Sequence, residues 1–127
     1  MSLFVLACTP SNSSSTQVVT ITAETDLITR VNVLTAEEGK QEEVIEILKD
    51  GLNNEMSHQP GFVSATIHRS LDSENITVYA QWSSQQDFDA AVQHRSSGGA
   101  PTMNKVFSIA QPDSHPYSVV SIHKPKS

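Results

Sequence analysis

Shortages mark this chain first: one cysteine, one tryptophan and no cluster of basic residues. A lone thiol, Cys8, excludes an internal disulfide and any cysteine-cluster metal site. Eight lysines and arginines stand against 14 acids, a net charge of −6, and the cations are scattered. Binding to nucleic acid needs clustered cations to neutralise phosphates, so nucleic-acid partners are excluded. No apolar run approaches the roughly 20 residues that span a bilayer. His58, His94, His115 and His123 lack metal-ligand spacing. A phosphate-cradling glycine loop, a nucleophile elbow and a Cys–His pair are all missing. At 127 residues, 37% hydrophobic and 17% charged, the chain can bury one core of its own.

The N-terminal stretch is unusual. LFVLAC (Leu3–Cys8) is a short apolar run ending in a small residue before cysteine, and the Ser-rich TPSNSSST follows. The pattern resembles the end of a bacterial lipoprotein signal, in which the cysteine is acylated and a polar tether follows. The run is short and lacks a basic start, so it reads equally as an ordinary N-terminus with a free thiol. Two locations stay open: the bacterial periplasm, with the membrane reached only through a lipid on Cys8, and the cytoplasm. We divide the chain into a tail, residues 1–16, and a folded domain, residues 17–127.

Hydrophobic periodicity sets the expected elements. QVVTIT (Gln17–Thr22) is β-branched and reads as an extra edge strand. LITRVNVLT (Leu27–Thr35) is a strand with Leu27, Thr29, Val31 and Val33 on one face and Ile28, Arg30, Asn32 and Leu34 on the other. Val44, Ile45, Leu48, Leu52 and Met56 recur at helical spacing, and Pro60-Gly61 closes that helix. Thr35 and Glu38 have capping-box spacing, although Gly39 argues for a start one turn later. Two strands flank the turn SLDSEN. On the first, Val63, Ala65 and Ile67 oppose Phe62, Ser64, Thr66 and His68. On the second, Ile76, Val78, Ala80 and Trp82 oppose Thr77, Tyr79 and Gln81. Residues 83–94 form a helix capped by Ser83 or Ser84, RSSGGAP a loop, and TMNKVFSIA a short helix. HPYSVVSIHK (His115–Lys124) is the last strand. The order β-α-β-β-α-(α)-β is an α+β, ferredoxin-like arrangement with helices on one face of an antiparallel sheet. The other face would carry Val31, Val33, Phe62 and Tyr79, which predicts a homodimer packed sheet to sheet.

PGFVSATIHRSLDSENITVYAQWSSQQDF resembles the signature of antibiotic biosynthesis monooxygenase domains: Pro-Gly-Phe opens one strand, Ser-Ala-x-x-His follows, and Tyr-Ala-Gln-Trp ends the next. RVNVLTAEEGKQEEVIEIL is similar to the family's first strand and helix, so the likeness spans residues 27 to 123. It implies a dimeric α/β barrel with a small-molecule cavity in each subunit. It also implies oxidation of an electron-rich aromatic or quinol by molecular oxygen, without cofactor or metal. In that chemistry the substrate itself, ionised to an enolate or phenolate, reacts with oxygen. Quinone-forming members carry Asn before Tyr-Ala-Gln-Trp and Tyr six residues after the Trp; here these are Val78 and Phe88. The family's Arg on the later helix falls near Asn104 or Lys105. Some members use an Asn on the first strand, and Asn32 fits it. Haem-degrading relatives add a second Trp at the position of Ala91, which argues against that activity.

The expected catalytic set is Asn32, Trp82 and His68, with Val78, Phe88, Leu34 and Met103 as substrate-binding walls. Asn32, a polar residue on a strand, must find a partner if buried, and would orient a substrate oxygen. His68 would accept the proton, yet simple alternation turns it away from Ile67 and towards the outer face. Trp82 reads equally as a core aromatic and as a cavity wall. Two other readings of the scaffold remain: a non-catalytic small-molecule-binding dimer and a signalling-metabolite isomerase.

Overall fold

The computed structural model describes residues 16–126. Cys8 and residues 1–15 of the expected tail lie outside them. Four strands, β1 (Ile28–Ala36), β2 (Phe62–Arg69), β3 (Asn75–Trp82) and β4 (Ala110–Tyr117), form one sheet in the order β2-β3-β1-β4. All pairings are antiparallel. Helices α1 (Gln41–Asn54), α2 (Gln85–His94) and α3 (Pro101–Ile109) supply the other layer. This is the expected ferredoxin-like order, with the third helix inserted before the last strand.

The core lies between sheet and helices. Leu34 and Ala36 of β1, Ile76 to Trp82 of β3 at alternate positions, and Val44, Ile45 and Leu48 of α1 are buried together with Met103 and Val106 of α3. Period-2 alternation in the strands and helical spacing in α1 bring these residues to one layer, and their removal from water is the main stabilising term. Helix α1 starts at Gln41, after Gly39 (φ +78°) and without a side-chain cap, so Thr35 and Glu38 do not form the capping box. Gln41 instead ties the helix to the β2–β3 turn. Its Nε2 donates to the carbonyls of Ser70, Ser73 and Asn75 at 3.0–3.1 Å. Ser84 caps α2, accepting from the Asp87 N–H at 3.0 Å. The first turn of α3 has no cap of its own; the Glu55 carboxylate accepts from the Thr102 and Met103 N–H groups at 2.8 and 2.9 Å.

Three expectations are corrected. The last strand is Ala110–Tyr117, not His115–Lys124: β1 holds its partner from Ala36↔Ala110 to Thr29↔Tyr117. Pro112 and Pro116 disguise this strand in the sequence. They are tolerable because β4 is an edge, and because Asp113 between them is the residue whose N–H turns inward, to Asn32 Oδ1. The prolines, of opposite parity, lack donors only on the outer side.

Gln17–Thr22 is not a strand; it is an irregular exposed segment held where Gln81 Nε2 donates to the Thr20 carbonyl at 3.2 Å. Phe62 is not on the outer face. The pairing shifts between Phe62 and Ser64, so Phe62 lies opposite Trp82 and Ser64 opposite Gln81, with Val63 left out of register and exposed. A bulge of this kind reverses the facing of residues on one side of it only.

Candidate active site

The cavity opens between the helices and the inner face of the sheet, with a volume of about 520 Å³. That is within the range of about 300–1,000 Å³ usual for small-molecule sites. Its walls are mainly apolar. Phe62, Trp82 and Phe88 form an aromatic corner in which Trp82 meets Phe62 edge-on at 5.3 Å and Phe88 edge-on at 5.6 Å between ring centroids. Trp82 is 2% exposed, so it belongs to the core and to the wall at once.

The polar groups come chiefly from β1. Alternation places Arg30 and Asn32 on the helix side of the sheet, and both line the cavity. Asn32 Oδ1 accepts the Asp113 N–H at 3.1 Å, which fixes the amide and leaves its NH2 group as a donor. Asn32 stands directly across from Val78, the two being paired residues of β1 and β3. Arg30 Nη2 donates to Ser114 Oγ at 2.8 Å, and its guanidinium lies 4.1 Å from the Phe88 ring centroid. Burial lowers the Arg30 pKa from its ordinary value, and the charge of Asp89 opposes that shift. Arg95, just after α2, lies 4.7 Å from the Phe107 ring centroid and donates to Asn104 Oδ1 at 2.9 Å.

The structure thus gathers Asn32, Trp82, Val78, Phe88 and Met103 around one cavity. Two expected residues are not there. His68 pairs with Thr77 on the opposite face of the sheet, exposed, with its Nε2 2.9 Å from Thr66 Oγ1. The bulge precedes Ser64 and leaves the alternation beyond it intact, so it does not carry the imidazole inward. Leu34 is 1% exposed and packs in the aliphatic core under α1, one alternate position beyond Asn32 and outside the cavity lining.

Sequence reasoning missed Arg30, Arg95, Ser114 and Phe62. Arg30 was within reach, since it shares the inner face with Asn32 by simple alternation. Phe62 was hidden by the bulge, Ser114 by the misplaced last strand, and Arg95 by a loop assignment. Arg95 itself keeps helical φ/ψ at the end of α2, and the chain leaves the helix only at Ser97 and Gly98 (φ +96°), before α3. Among the described residues no carboxylate or imidazole lines the cavity, and no group of three or more His, Cys, Asp or Glu able to hold a metal ion occurs.

Comparison with known proteins agrees with this architecture. The tetracenomycin-F1 monooxygenase of Streptomyces glaucescens is 39% identical over 93 residues, covering 73% of this chain and 81% of that protein. Among solved structures, SnoaB, a cofactor-independent oxygenase from Streptomyces nogalater, superposes with a TM-score of 0.67 at 21% identity. The match covers 77% of this chain and 97% of SnoaB. The ActVA-Orf6 monooxygenase of Streptomyces coelicolor, in complex with nanaomycin D, gives 0.64 at 24% identity over 78% of this chain and 92% of that one. At these identities both structures speak to the fold alone. Residues 27–100 match the family described as antibiotic biosynthesis monooxygenase, and the chain belongs to that family.

Proposed function

We propose that this family member is a cofactor-independent monooxygenase that oxidises a small, electron-rich aromatic or quinol-type compound with molecular oxygen. The observation that carries the reading is the cavity itself: an aromatic corner around Trp82 faces a fixed amide donor on Asn32. The apolar walls would hold a flat ring system and exclude water. Asn32, anchored through Oδ1, would direct its NH2 at the substrate oxygen on which negative charge develops, a donor already oriented before reaction. The sequence resemblance expects an amide at position 78; its cross-strand partner Asn32 offers one from the opposite strand instead.

With no carboxylate or imidazole among the described lining residues, those present favour the ionised substrate electrostatically rather than take its proton. His68, on the far face, has no part in this scheme. Oxidation of a methylene to a carbonyl by one molecule of oxygen gives water as the second product, which balances the reaction without a reductant.

Oxygen uptake with a panel of anthrones, hydroquinones and naphthols tests the proposal. Uptake should saturate with substrate and fall at least tenfold in Asn32→Ala, from the loss of a donor to a developing charge, worth about 2–4 kcal/mol. Uptake no greater than that of the variant for every compound refutes it. Val78 and Phe88, apolar where the resemblance expects polar groups, favour the second reading of a binding protein; a tightly bound compound released unchanged in air would support it. Turnover without oxygen would indicate an isomerase.

The outer face supports pairing with a second copy. Val31, Val33 and Tyr79 are only half-buried there, and Val63, Tyr117 and Val120 are exposed. Light scattering should give twice the mass of 13.8 kDa, and a Tyr79→Glu variant should run as a monomer.

A further inference from the structure

Three helices cover the sheet, and they are not fastened equally. α1 buries Val44, Ile45, Leu48 and Gly51, and α3 buries Met103 and Val106; in α2 only Ala91 is fully buried. The larger apolar side chains of α2, Phe88 and Val92, line the cavity, so each has packed neighbours on one side only. Burial of apolar surface is what fastens a helix, and α2 has little of it.

Polar clips take its place. The Phe88 ring lies over the Arg30 guanidinium of β1, 4.1 Å from ring centroid to carbon, and Asp89, the next residue of α2, supplies the negative charge that acts on Arg30. At the far end of the helix, Arg95 lies 4.7 Å from the Phe107 ring centroid of α3. Its Nη1 donates to Asn104 Oδ1 at 2.9 Å, and Asn104 Nδ2 donates back to the Arg95 carbonyl at 3.2 Å. Each clip joins an arginine to a phenylalanine on a neighbouring element, and all four side chains line the cavity. The first clip is imperfect when closed, because Arg30 Nε is shut off from solvent and lacks a hydrogen-bond partner. Lifting α2 would let water reach that donor, which lowers the cost of opening.

Both ends of α2 are jointed. Before it, Ser84 is fully extended (φ −161°, ψ 161°). After it, Ser97 and Gly98 leave the helical conformation, and nothing lies within 4 Å of where a side chain at Gly98 would begin. Such positions absorb rotation without disturbing the packed elements on either side.

We propose that α2 is a movable wall of the cavity, a gate that swings on Ser83–Ser84 and Ser97–Gly98 and is held shut by the clips at Arg30–Phe88 and at Arg95–Phe107–Asn104. Ligands enter and leave beneath it, and lifting the Phe88 ring uncovers Trp82. The gate serves an oxygenase and a binding protein alike, so it does not depend on the activity proposed above.

Quenching of Trp82 by acrylamide reads the gate without any ligand, because this is the only tryptophan and it is almost fully buried. Asn104→Ala is the first variant, since Asn104 is exposed and lies outside the cavity lining, so every wall residue stays in place. It should raise the quenching constant about threefold to tenfold, the change that a lost hydrogen bond of ordinary strength makes in an equilibrium. The second variant carries Arg95→Cys and Asn104→Cys together with Cys8→Ser. Quenching should be high with its thiols free and should return to the wild-type value or below once 1,3-dichloroacetone bridges them. Amide exchange over residues 85–94 should not change, since the helix moves as a unit. Stopped-flow binding of 9-fluorenone, a neutral aromatic, should be slower in both directions in the bridged protein while Kd changes little, because an obstacle on the path alters rates rather than the equilibrium. Equal quenching in wild type, Asn104→Ala and the free-thiol and bridged forms overturns the gate. So does exchange over residues 85–94 that quickens together with quenching, which is a helix unwinding in place. Equal fluorenone rates with and without the bridge, or no binding to the free-thiol form, overturn the entry route. Failed oxygen uptake leaves the gate standing, and a fixed α2 leaves the oxygenase proposal standing.

Discussion

Trp82→Ala separates the two roles that one residue combines. The indole is almost wholly buried and meets two aromatic rings edge-on. Such contacts are worth about 0.5–1.5 kcal/mol each beyond the area they bury, so Phe62 and Phe88 account for about 1–3 kcal/mol. Truncation of a buried Trp or Phe to Ala costs about 3–5 kcal/mol in all. The lower end applies here. One side of the indole already borders a cavity of about 520 Å³, so the deletion enlarges an existing space and strips fewer packed neighbours than it would in solid core. We expect a loss of about 3 kcal/mol and a melting temperature lower by about 10–15 °C.

Against a usual stability of about 5–15 kcal/mol the variant should still fold, and its ligand affinity should collapse. Urea unfolding must be followed by far-UV circular dichroism, because the substitution removes the only tryptophan. A loss below about 1 kcal/mol would show that the indole is not packed as described. Full stability together with unchanged ligand binding would refute both roles together.

Three further outcomes follow from local geometry. Gln41→Ala frees three carbonyls of the β2–β3 turn and should cost about 1–2 kcal/mol, with faster amide exchange confined to residues 70–75. Gly51→Ala should gain nothing from helix propensity, because the new methyl group would lie 2.5 Å from Met103 Sδ and 2.8 Å from its Cγ. Met103 would shift into the cavity, so ligand affinity should fall more than stability; a stabilised variant with unchanged affinity contradicts the close approach of α1 and α3. Gly61→Ala should destabilise by about 1–3 kcal/mol, since the residue sits at φ +85° and a methyl group would fall on the Asp87 side chain. An unchanged urea midpoint would argue against the turn that opens β2.

The fold was largely legible because its strands and helices repeat at different periods. Ile76, Val78, Ala80 and Trp82 mark β3 without ambiguity, as Val44, Ile45 and Leu48 mark α1. The failures have separate physical causes. β4 carries two prolines and few apolar residues, so it reads as a loop; only its pairing with β1 makes it a strand. The segment after Tyr117 has the better strand composition yet has no strand partner among the described residues. The bulge at Val63 is invisible to a period-2 count and moves Phe62 to the opposite face.

At the site, Trp82 and Asn32 were recoverable because each is unusual where it stands. Arg30 was on the correct face of the first strand but lacked an obvious motif. Leu34 shows the limit of facing arguments. The same face holds cavity lining at Asn32 and solid core at Leu34, and the change depends on where the helices cross the sheet.

The two prolines of β4 and the bulge of β2 bear on more than strand assignment. They sit at opposite margins of the sheet, and each interrupts the row of outward-facing backbone groups that a neighbouring chain would need to extend it. Lateral stacking into fibrils is therefore discouraged on both sides, even at high local concentration. Any pairing of copies is thereby directed to the faces of the sheet rather than to its edges.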